Sequence, residues 1–356
     1  MARLLIAALR MKGHNLTIAS RLRSWDGEGN ARRQDRIRRH GQALAQRYVE
    51  RHRRNPPNLW FTYHLYHKAP DWIGPTVAEA FEIPYIVAEA SFAPKQSGGP
   101  WAQGHQSVSA ALMRADCAIA LSPTDIKCVV PTLRRPELLR TLAPFINTDQ
   151  PRRAAVRRDQ LRSEFAKKHG INSKFPWLVT VAMMREGDKL ESYSILGELI
   201  RRLGDNEWTL IVVGDGPARA RVETLLGTDT RVHYLGIQSP SQIMQLNAAA
   251  DLFCWPAINE AYGMAMLEAQ ATGLPVVAGF GAGVAQIVDD GKTGTLGRAK
   301  DPEALANMVC TLLNAPRRRK EMRDAALERT ATIHDISTAA DQLDEFIRDA
   351  LIETKR

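Results

Sequence analysis

The chain has 356 residues, which is long enough for two domains of ordinary size. Charged residues make up 24% and hydrophobic residues 44%, as in soluble globular proteins, and no apolar run approaches the ~18 residues of a membrane span. The apolar patch at residues 4–9 is better explained as a helix face than as a signal peptide, and the four cysteines fit no zinc or redox spacing. These features predict a cytoplasmic protein.

The net charge of +9 lies entirely in residues 1–150, because the remaining residues carry equal numbers of acidic and basic side chains. Much of it falls in segment 31–54, where nine arginines stand against Asp35 and Glu50. Such a segment favours an anionic partner: a phospholipid surface, an acidic polysaccharide or nucleic acid. A solvated helix face is the alternative. Because no nucleic-acid-binding motif is present, we expect an anionic membrane partner, on the inner face of the plasma membrane, and no nucleic acid.

The first half of the chain alternates between helix and strand patterns. Apolar periodicity predicts helices at 2–12, 31–54, 71–81 and 103–115 and from 124, and strands at 14–20, 58–63, 84–88, 117–121 and 139–143. Residues 91–101 are too rich in glycine and proline for regular structure. This alternation predicts one α/β domain with a parallel sheet.

Residues 144–158 are polar and basic and read as a linker to a second α/β domain. Helices are expected at 159–169, 190–203 and 219–226 and from 302, 317 and 336, with strands at 177–182, 208–213, 232–235, 252–255, 275–278 and 293–296. The predicted organisation is therefore an N-terminal domain at 1–147, a C-terminal domain at 148–335 and a final helical segment at 336–356.

One stretch, residues 251–279, organises the second domain. It reads as a short buried strand, a polar turn, a helix that begins near Gly263 and is stopped by Gly273, and another strand. A strand–helix–strand unit implies a parallel sheet with a ligand site at the carboxyl end of the strand. Glu260 and Glu268 flank the helix N-terminus, which suits phosphate, while the carboxylates suit sugar and ribose hydroxyls. The pattern indicates a nucleotide sugar.

The block EAYGMAMLEAQATGLPVVA resembles the E-x7-E signature of retaining glycosyltransferases of family 4, which have the GT-B fold. The resemblance implies two Rossmann-like parallel-sheet domains facing a cleft, with Glu260 near the donor sugar and Glu268 on the ribose. Backbone N–H groups around Tyr262, Gly263 and Met264 would hold the diphosphate. In the alternative reading, Glu260 caps the helix and Glu268 is an exposed helical residue.

Three further segments gain a role from this resemblance. Arg185 and Lys189 follow strand 177–182, where the family carries a basic pair that stabilises the leaving diphosphate. The family's preceding Gly-Arg is replaced by Ala182-Met183, which makes Lys189 the stronger candidate. The remaining donor-binding candidates implied by the resemblance are Gly214 and Gly216 in a glycine turn, and Ile237 and Gln238 at a strand end near the base.

On the acceptor side, His64, His67 and Glu89 fall near predicted strand ends. The family often has a histidine after the strand equivalent to 84–88, and this chain has Glu89 and Ser91 there instead. The two histidines also fit packed core residues. No metal-ligand spacing is visible, and the GT-B fold usually works without a metal, so we expect neither metal nor cofactor.

The resulting functional prediction is a retaining, hexosyltransferase-type enzyme. It would move a sugar from a nucleoside diphosphate to a glycan or lipid-linked acceptor. The alternatives are a nucleotide-sugar epimerase or phosphorylase on the same fold and a non-catalytic partner subunit that binds nucleotide or glycan.

The order of elements also carries an expectation about the start of the chain. A doubly wound domain opens with a strand, whereas this sequence begins with a helix at Ala2. We therefore expect that the first strand of the N-terminal domain is missing and that the reading frame extends upstream of Met1.

Overall fold

A computed structural model describes residues 1–353 of the chain. By contact density the chain divides into two compact units. Unit 1 comprises Met1–Ala143 and the residues from Ser337 onward, and unit 2 comprises Pro144–Ile336.

Unit 1 is built on a four-stranded parallel sheet with helices between its strands. In chain order its elements are α1 (Ala2–Met11), α2 (Ala31–His52), β1 (Trp60–Leu65), α3 (Gly74–Ala80), β2 (Tyr85–Ala90), α4 (Ala102–Arg114), β3 (Cys117–Ala120), α5 (Pro123–Val129) and β4 (Leu139–Thr141). The strand order is β1-β2-β3-β4, and every pairing is parallel. Short 3₁₀ turns lie at Pro94–Gln96, Val130–Thr132 and Pro136–Leu138.

Asp71 joins the sheet of unit 1 to a helix. Its carboxylate accepts hydrogen bonds from the Tyr85 hydroxyl at 3.0 Å and from the Gly74 amide at 2.8 Å. It therefore caps α3 from outside, and the helix begins at Gly74 rather than at the predicted residue 71. Val77 on this helix is fully buried and packs with Ala45 of α2.

The segment at residues 14–20 is not a strand, contrary to the prediction. It runs as irregular chain between α1 and α2, and none of its residues pairs with the described sheet. Its alternating Leu16, Thr17 and Ile18 have strand propensity, yet Ile18 is 68% exposed. A strand needs a neighbour for its backbone hydrogen bonds and a face to bury, so local propensity alone does not form one here.

Unit 2 contains a six-stranded parallel sheet. Its elements are α6 (Asp149–Val156), α7 (Arg158–His169), β5 (Trp177–Val181), α8 (Asp188–Arg202), β6 (Thr209–Val213), α9 (Arg219–Leu226), β7 (Val232–Gly236), α10 (Pro240–Ala249), β8 (Leu252–Trp255), α11 (Met264–Ala271), β9 (Val276–Gly279), α12 (Val284–Ile287), β10 (Gly294–Gly297), α13 (Pro302–Leu313) and α14 (Pro316–Thr332). The strand order is β10-β9-β8-β5-β6-β7.

Residues 144–158 are not an extended linker, because α6 occupies most of them. The hydroxyl of Thr148, next to the start of α6, donates to Asp335 at 2.5 Å, and the Ile146 amide donates to the His334 carbonyl at 2.9 Å. These bonds attach the segment to unit 2. The last described helix, α15 (Ile336–Glu353), belongs almost entirely to unit 1, where Arg135 pairs with Glu353 at 2.8 Å.

A cluster of charged residues lies at the amino ends of the strands in the unit 2 sheet. Asp251 accepts from Arg158 at 2.6 Å, from Arg162 at 2.9 Å and from the Trp177 amide at 2.8 Å. Burial raises the pKa of Asp251, but the two guanidinium groups and the amide outweigh it and the net pKa is lowered. A carboxylate satisfied in this way stays charged and ties α7 to β5 and β8. Among the helices that the structure describes, none is long and apolar enough to cross a bilayer.

Candidate functional site

The candidate site in unit 2 lies where the strand order of the sheet reverses. From β5 the chain runs outward through β6 and β7, and then returns to place β8 on the other side of β5. In open α/β sheets the crevice at the carboxyl ends of two such strands is the usual ligand site. Lys189, at the start of α8 after β5, forms an ion pair here with Glu260, in the loop after β8. Their side chains are 17% and 20% exposed, so the pair is largely shielded from solvent.

The loop that carries Glu260 is held in an unusual backbone conformation. Ala257 and Asn259 have φ angles of 57° and 47°, a region that residues other than glycine rarely occupy. The Asn259 side chain donates to Asp188 at 2.8 Å, and the Ile258 amide donates to the hydroxyl of Ser192 at 3.1 Å. Such strain persists only where its surroundings enforce it. The first two turns of α8 therefore fix the position of Glu260.

Asn259, Asp188 and Ser192 were not predicted as site residues. Only Asn259 had a sequence signal, because it lies in the polar turn before α11, whereas Asp188 and Ser192 belong to α8. Beneath the ion pair, the ring of Trp255 lies 5.5 Å from the Lys189 ammonium and packs edge-on against Tyr193 at 5.0 Å. Both aromatic side chains are buried, so they form an apolar floor under the pair.

Gly263 caps α11 with a φ of 76°, and a Cβ there would lie 2.2 Å from the Met266 side chain. The cap leaves the first N–H groups of the helix, beginning with Met264, without acceptors inside the helix. Glu268 lies one turn further on. Its side chain is exposed to solvent, yet neighbouring protein atoms desolvate the carboxyl group and raise its pKa. The helix end thus presents the two features that the sequence predicted, free N–H groups and an acidic side chain.

Two glycines fasten the loops after β5 and β6 to each other. Gly214 and Gly216 have φ angles of 138° and 153°. A Cβ at these positions would lie 1.9 Å from the carbonyl oxygen of Ala182 and 2.3 Å from that of Met184. The Met184 amide donates to the Asp215 carbonyl at 3.0 Å, and the Gly214 amide donates to the Gly236 carbonyl at 2.9 Å. The glycine turn therefore has a structural role of its own.

The loops after β8 and β9 are joined in the same way. A Cβ at Gly279 would lie 2.0 Å from the Pro256 carbonyl oxygen, and one at Gly283 would lie 1.7 Å from that of Ala261. The cluster Gly279-Phe280-Gly281-Ala282-Gly283 was not singled out from the sequence, although its glycine density was the signal that could have found it. Backbone contacts thus connect neighbouring loops along the carboxyl edge of the sheet.

Four other candidates lie on this edge but outside the ion pair. Arg185 is exposed and forms no ion pair among the described residues. Ile237 is 81% exposed, and the amide side chain of Gln238 donates to the Leu235 carbonyl at 2.7 Å. Tyr262 is half-buried beside the α11 N-terminus.

In unit 1, His64 and Glu89 are brought together, whereas His67 lies in a separate contact. His64 belongs to β1, not to the loop after it, and its Nδ1 is 3.4 Å from the Glu89 carboxylate on β2. Both residues have positive φ, 67° and 58°. His67 packs edge-on against Trp101 with ring centroids 5.8 Å apart. The described residues contain no cluster of three or more acidic, histidine or cysteine side chains in a metal-binding arrangement.

Comparison with known sequences shows which proteins the region around this site is similar to. Residues 162–329, slightly less than half of the chain, match the family model described as Glycosyl transferases group 1. D-inositol 3-phosphate glycosyltransferase of Corynebacterium glutamicum is 36% identical over 126 residues, which cover 35% of this chain and 30% of the relative. Alpha-D-kanosaminyltransferase of Streptomyces kanamyceticus is 29% identical over 192 residues, covering 53% and 49%. The chain thus spans between 30% and 49% of the length of these curated relatives.

Solved structures show the same fold. Anabaena HepE in complex with UDP aligns with a TM-score of 0.72 at 19% identity, over 86% of this chain and 82% of that one. WaaG, a glycosyltransferase involved in lipopolysaccharide biosynthesis, aligns with a TM-score of 0.66 at 19% identity, over 97% and 95%. These similarities confirm the predicted α/β class with two parallel-sheet domains of the GT-B type. The family match also shows that residues 162–329 are similar to the glycosyl transferases of group 1.

Proposed function

We propose that the protein is a retaining glycosyltransferase that transfers a sugar from a nucleoside-diphosphate sugar to a glycan or lipid-linked acceptor. The observation that carries this proposal is the shielded Lys189–Glu260 pair at the strand reversal, within the region that matches group 1 glycosyl transferases. The named structural neighbour HepE holds UDP, which supports a nucleotide as the ligand class. We propose no metal or cofactor.

In this proposal the cations and the helix end act on the leaving group. As the bond to the sugar breaks, negative charge grows on the diphosphate, and fixed donors near it lower the barrier. Lys189 is held in place by its neighbours, and Arg185 is exposed and without an ion pair in the described part, so it is free to turn towards phosphate. The free N–H groups at Gly263 and Met264 add dipolar stabilisation that needs no side-chain motion.

The two glutamates act on hydroxyl groups. Glu260 is already paired, so its position is set before a ligand enters, and we assign it to the donor sugar. Glu268 is exposed and close to the same helix end, and we assign it to the ribose. Gly214 and Gly216 shape the adjoining loop for the nucleotide, and Ile237 with Gln238 provides an edge for the base.

The decisive experiment is a donor screen. Purified protein is incubated with UDP-, GDP- and ADP-sugars, and thermal shift and release of the nucleoside diphosphate are measured with and without a chelator. We expect one nucleotide class to stabilise the protein and to be turned over at an unchanged rate in the chelator. NMR of the glycoside product should show the same anomeric configuration as the sugar in the donor. An inverted product would refute retention.

The same screen separates the alternatives. An epimerase changes the sugar without releasing diphosphate, and a phosphorylase needs inorganic phosphate for turnover. A non-catalytic subunit binds nucleotide but turns over no donor with any glycan acceptor. Release of diphosphate that increases with added acceptor supports the transferase.

We also propose that α2 brings the protein to an anionic membrane. Arg32, Arg36, Arg39, Arg47 and Arg51 are all exposed. Their spacing places them on one side of the helix, away from the buried Ala45. Each such residue contributes about 1 kcal/mol near an anionic leaflet, and salt screens the attraction.

Vesicle co-sedimentation tests this second proposal. Binding to anionic vesicles should fall steeply with salt and when Arg32, Arg36 and Arg39 are changed to Gln. A variant with Arg317, Arg318 and Lys320 of α14 changed to Gln removes the same charge from the other unit and serves as the control. Equal binding of the parent to neutral vesicles would refute the proposal.

A further inference from the structure

Three consecutive residues of α8, Glu191, Ser192 and Tyr193, each bond to a different loop at the carboxyl edge of the unit 2 sheet. Glu191 pairs with Lys300, after β10, at 2.6 Å, but the two side chains are 42% and 69% exposed. An ion pair this exposed contributes little to the position of a loop. Ser192 and Tyr193 are fully buried, so they are the residues able to hold their loops in place.

The hydroxyl group of Ser192 joins the main chain on both sides of the Lys189–Glu260 pair. It accepts from the Ile258 amide, two residues before Glu260, at 3.1 Å. It also donates to the carbonyl oxygen of Asp188, one residue before Lys189, at 2.8 Å. Both bonds end on main-chain atoms, so they do not depend on the charge of either side chain. Ser192 therefore sets the separation of the two backbone segments that carry the pair.

Packing alone does not account for a serine at this position. The other buried residues of α8 are leucine, isoleucine, tyrosine and glycine. A serine hydroxyl that bonds back to the carbonyl four residues earlier slightly destabilises a helix. Here that cost is offset, because the same hydroxyl is the acceptor for the buried amide of Ile258. A buried amide that loses its acceptor is destabilising.

Tyr193 holds the loop after β5 in a similar way. Its hydroxyl group donates to the carbonyl oxygen of Ala182, the residue that directly follows β5, at 2.9 Å. Burial raises the pKa of Tyr193, so the hydroxyl keeps its proton and remains a donor. The ring packs edge-on against the buried ring of Trp255, which fixes the direction of the hydroxyl group.

We propose that Ser192 and Tyr193 are positioning residues for the transfer reaction, and that they keep Glu260 and the loop after β5 in place when the ion pair opens. This inference rests on the proposed function. In that reaction the phosphate oxygens of the donor compete with Glu260 for the Lys189 ammonium, and the sugar hydroxyls compete with Lys189 for Glu260. The ion pair does not hold the loops while it is being replaced, whereas the bonds of Ser192 and Tyr193 lie outside this exchange.

The kinetic test compares Ser192→Ala and Tyr193→Phe with the parent, at a temperature at which circular dichroism shows each protein to be folded. Turnover is measured with the donor found in the screen, and the affinity for its nucleoside diphosphate is measured by calorimetry. Ser192→Ala should lower kcat by about tenfold or more, because small displacements of reacting groups cost up to about 10²-fold. It should leave the affinity for the diphosphate unchanged, because that ligand has no sugar for Glu260 to hold.

Tyr193→Phe should lower kcat and also weaken diphosphate binding, by about threefold, because the loop after β5 carries Arg185. Ser192→Thr keeps the hydroxyl group and should restore kcat. If threonine does not fold at this buried position, Tyr193→Phe keeps the test valid, since it removes only one oxygen atom.

The matched control is Thr330→Val on α14. Thr330 is also fully buried, and its hydroxyl donates to the Ala326 carbonyl at 2.8 Å within the helix. Its loss should lower the melting temperature without changing kcat. Unchanged kcat in both Ser192→Ala and Tyr193→Phe would overturn the proposal, as would an equal fall of kcat in Thr330→Val.

A parent protein that turns over no donor would refute the proposed function, and the positioning by Ser192 is then measured by unfolding in urea. The proteins compared are Ser192→Ala, Glu260→Gln and the double variant. If Ser192 holds the loop of Glu260, the two changes are not additive, because a loosened loop has less of the ion pair to lose. Additive losses of stability would show that Ser192 does not position Glu260.

Discussion

The ion pair between Lys189 and Glu260 allows a test that separates catalysis from folding. We consider Lys189→Gln, Glu260→Gln and the double variant. Each single change leaves a charge 80% or more shielded from solvent without its partner, since the two side chains are 17% and 20% exposed. An unsatisfied group of this kind costs about 1–3 kcal/mol of unfolding free energy. For a unit of this size, about 1 kcal/mol lowers the melting temperature by roughly 2–4 °C.

The expected loss of activity is larger. Removing one fixed donor to a developing negative charge typically lowers kcat by about 10²–10³, or about 2.7–4 kcal/mol. The assay measures diphosphate release from the donor found in the screen, together with denaturant unfolding of each variant. If both residues act on the donor, the double variant stays as inactive as the worse single variant, although its stability recovers because no charge is left unpaired.

A purely structural ion pair predicts the opposite. Activity would then follow stability, and the double variant, which restores neutrality, would regain turnover. That result would refute the assignment of both residues. The matched control is the exposed pair of Lys320 and Asp324, 2.7 Å apart on α14, changed to Gln and Asn. Because both side chains are largely solvated, this change should alter unfolding by less than about 1 kcal/mol and leave turnover intact.

Three further predictions concern other positions of unit 2. Gly283→Ala places a Cβ 1.7 Å from the Ala261 carbonyl oxygen and should lower both melting temperature and turnover, whereas Gly291→Ala, with open space around it, should affect stability only through its backbone strain. Glu268→Ala should weaken nucleotide binding by about tenfold in calorimetry without lowering stability, because a carboxylate–hydroxyl bond is lost; unchanged affinity would contradict the ribose assignment. His334 is buried, and desolvation lowers its pKa below 6.5, so the unfolded chain binds more protons and unfolding free energy should fall as pH drops below 6.5; a pH-independent curve between 7 and 5 in urea would contradict this.

Much of unit 2 could be predicted because its central strands have a clear sequence pattern. The strands β5, β6, β8 and β9 are short apolar runs buried on both faces, with glycine, proline or polar residues nearby. The predicted strand at 252–255 and helix at 219–226 agree with the structure residue for residue. The nearness of Lys189 and Glu260 followed only from the resemblance, since residues 71 positions apart share no local pattern.

The failures have physical causes. The segment 14–20 has strand-like residues but no neighbour, and a sequence shows propensity rather than partners. The helix α6 was missed because its eight residues contain only one buried side chain, Ala154, which is too few to show a helical period. The positive φ of His64 and Glu89 could not be predicted because only a few per cent of residues other than glycine adopt that region. The close approach of the chain after β1 to α4, where a Cβ on Gly104 would lie 2.0 Å from the His67 carbonyl oxygen, appears only when the backbones meet.

The glycine contacts along the carboxyl edge of the unit 2 sheet bear on how such a protein can change its substrate. Gly214, Gly216, Gly279 and Gly283 fasten the loops through main-chain atoms, so the spacing of the loops does not depend on the side chains between them. Met183 and Phe280 lie on these loops and are 59% and 64% exposed. Under the proposed function, their identities are therefore free to change under selection for a new donor, while the backbone that holds them keeps its shape. The four glycines themselves cannot vary in this way, because a Cβ at any of them would collide with a carbonyl oxygen of the neighbouring loop.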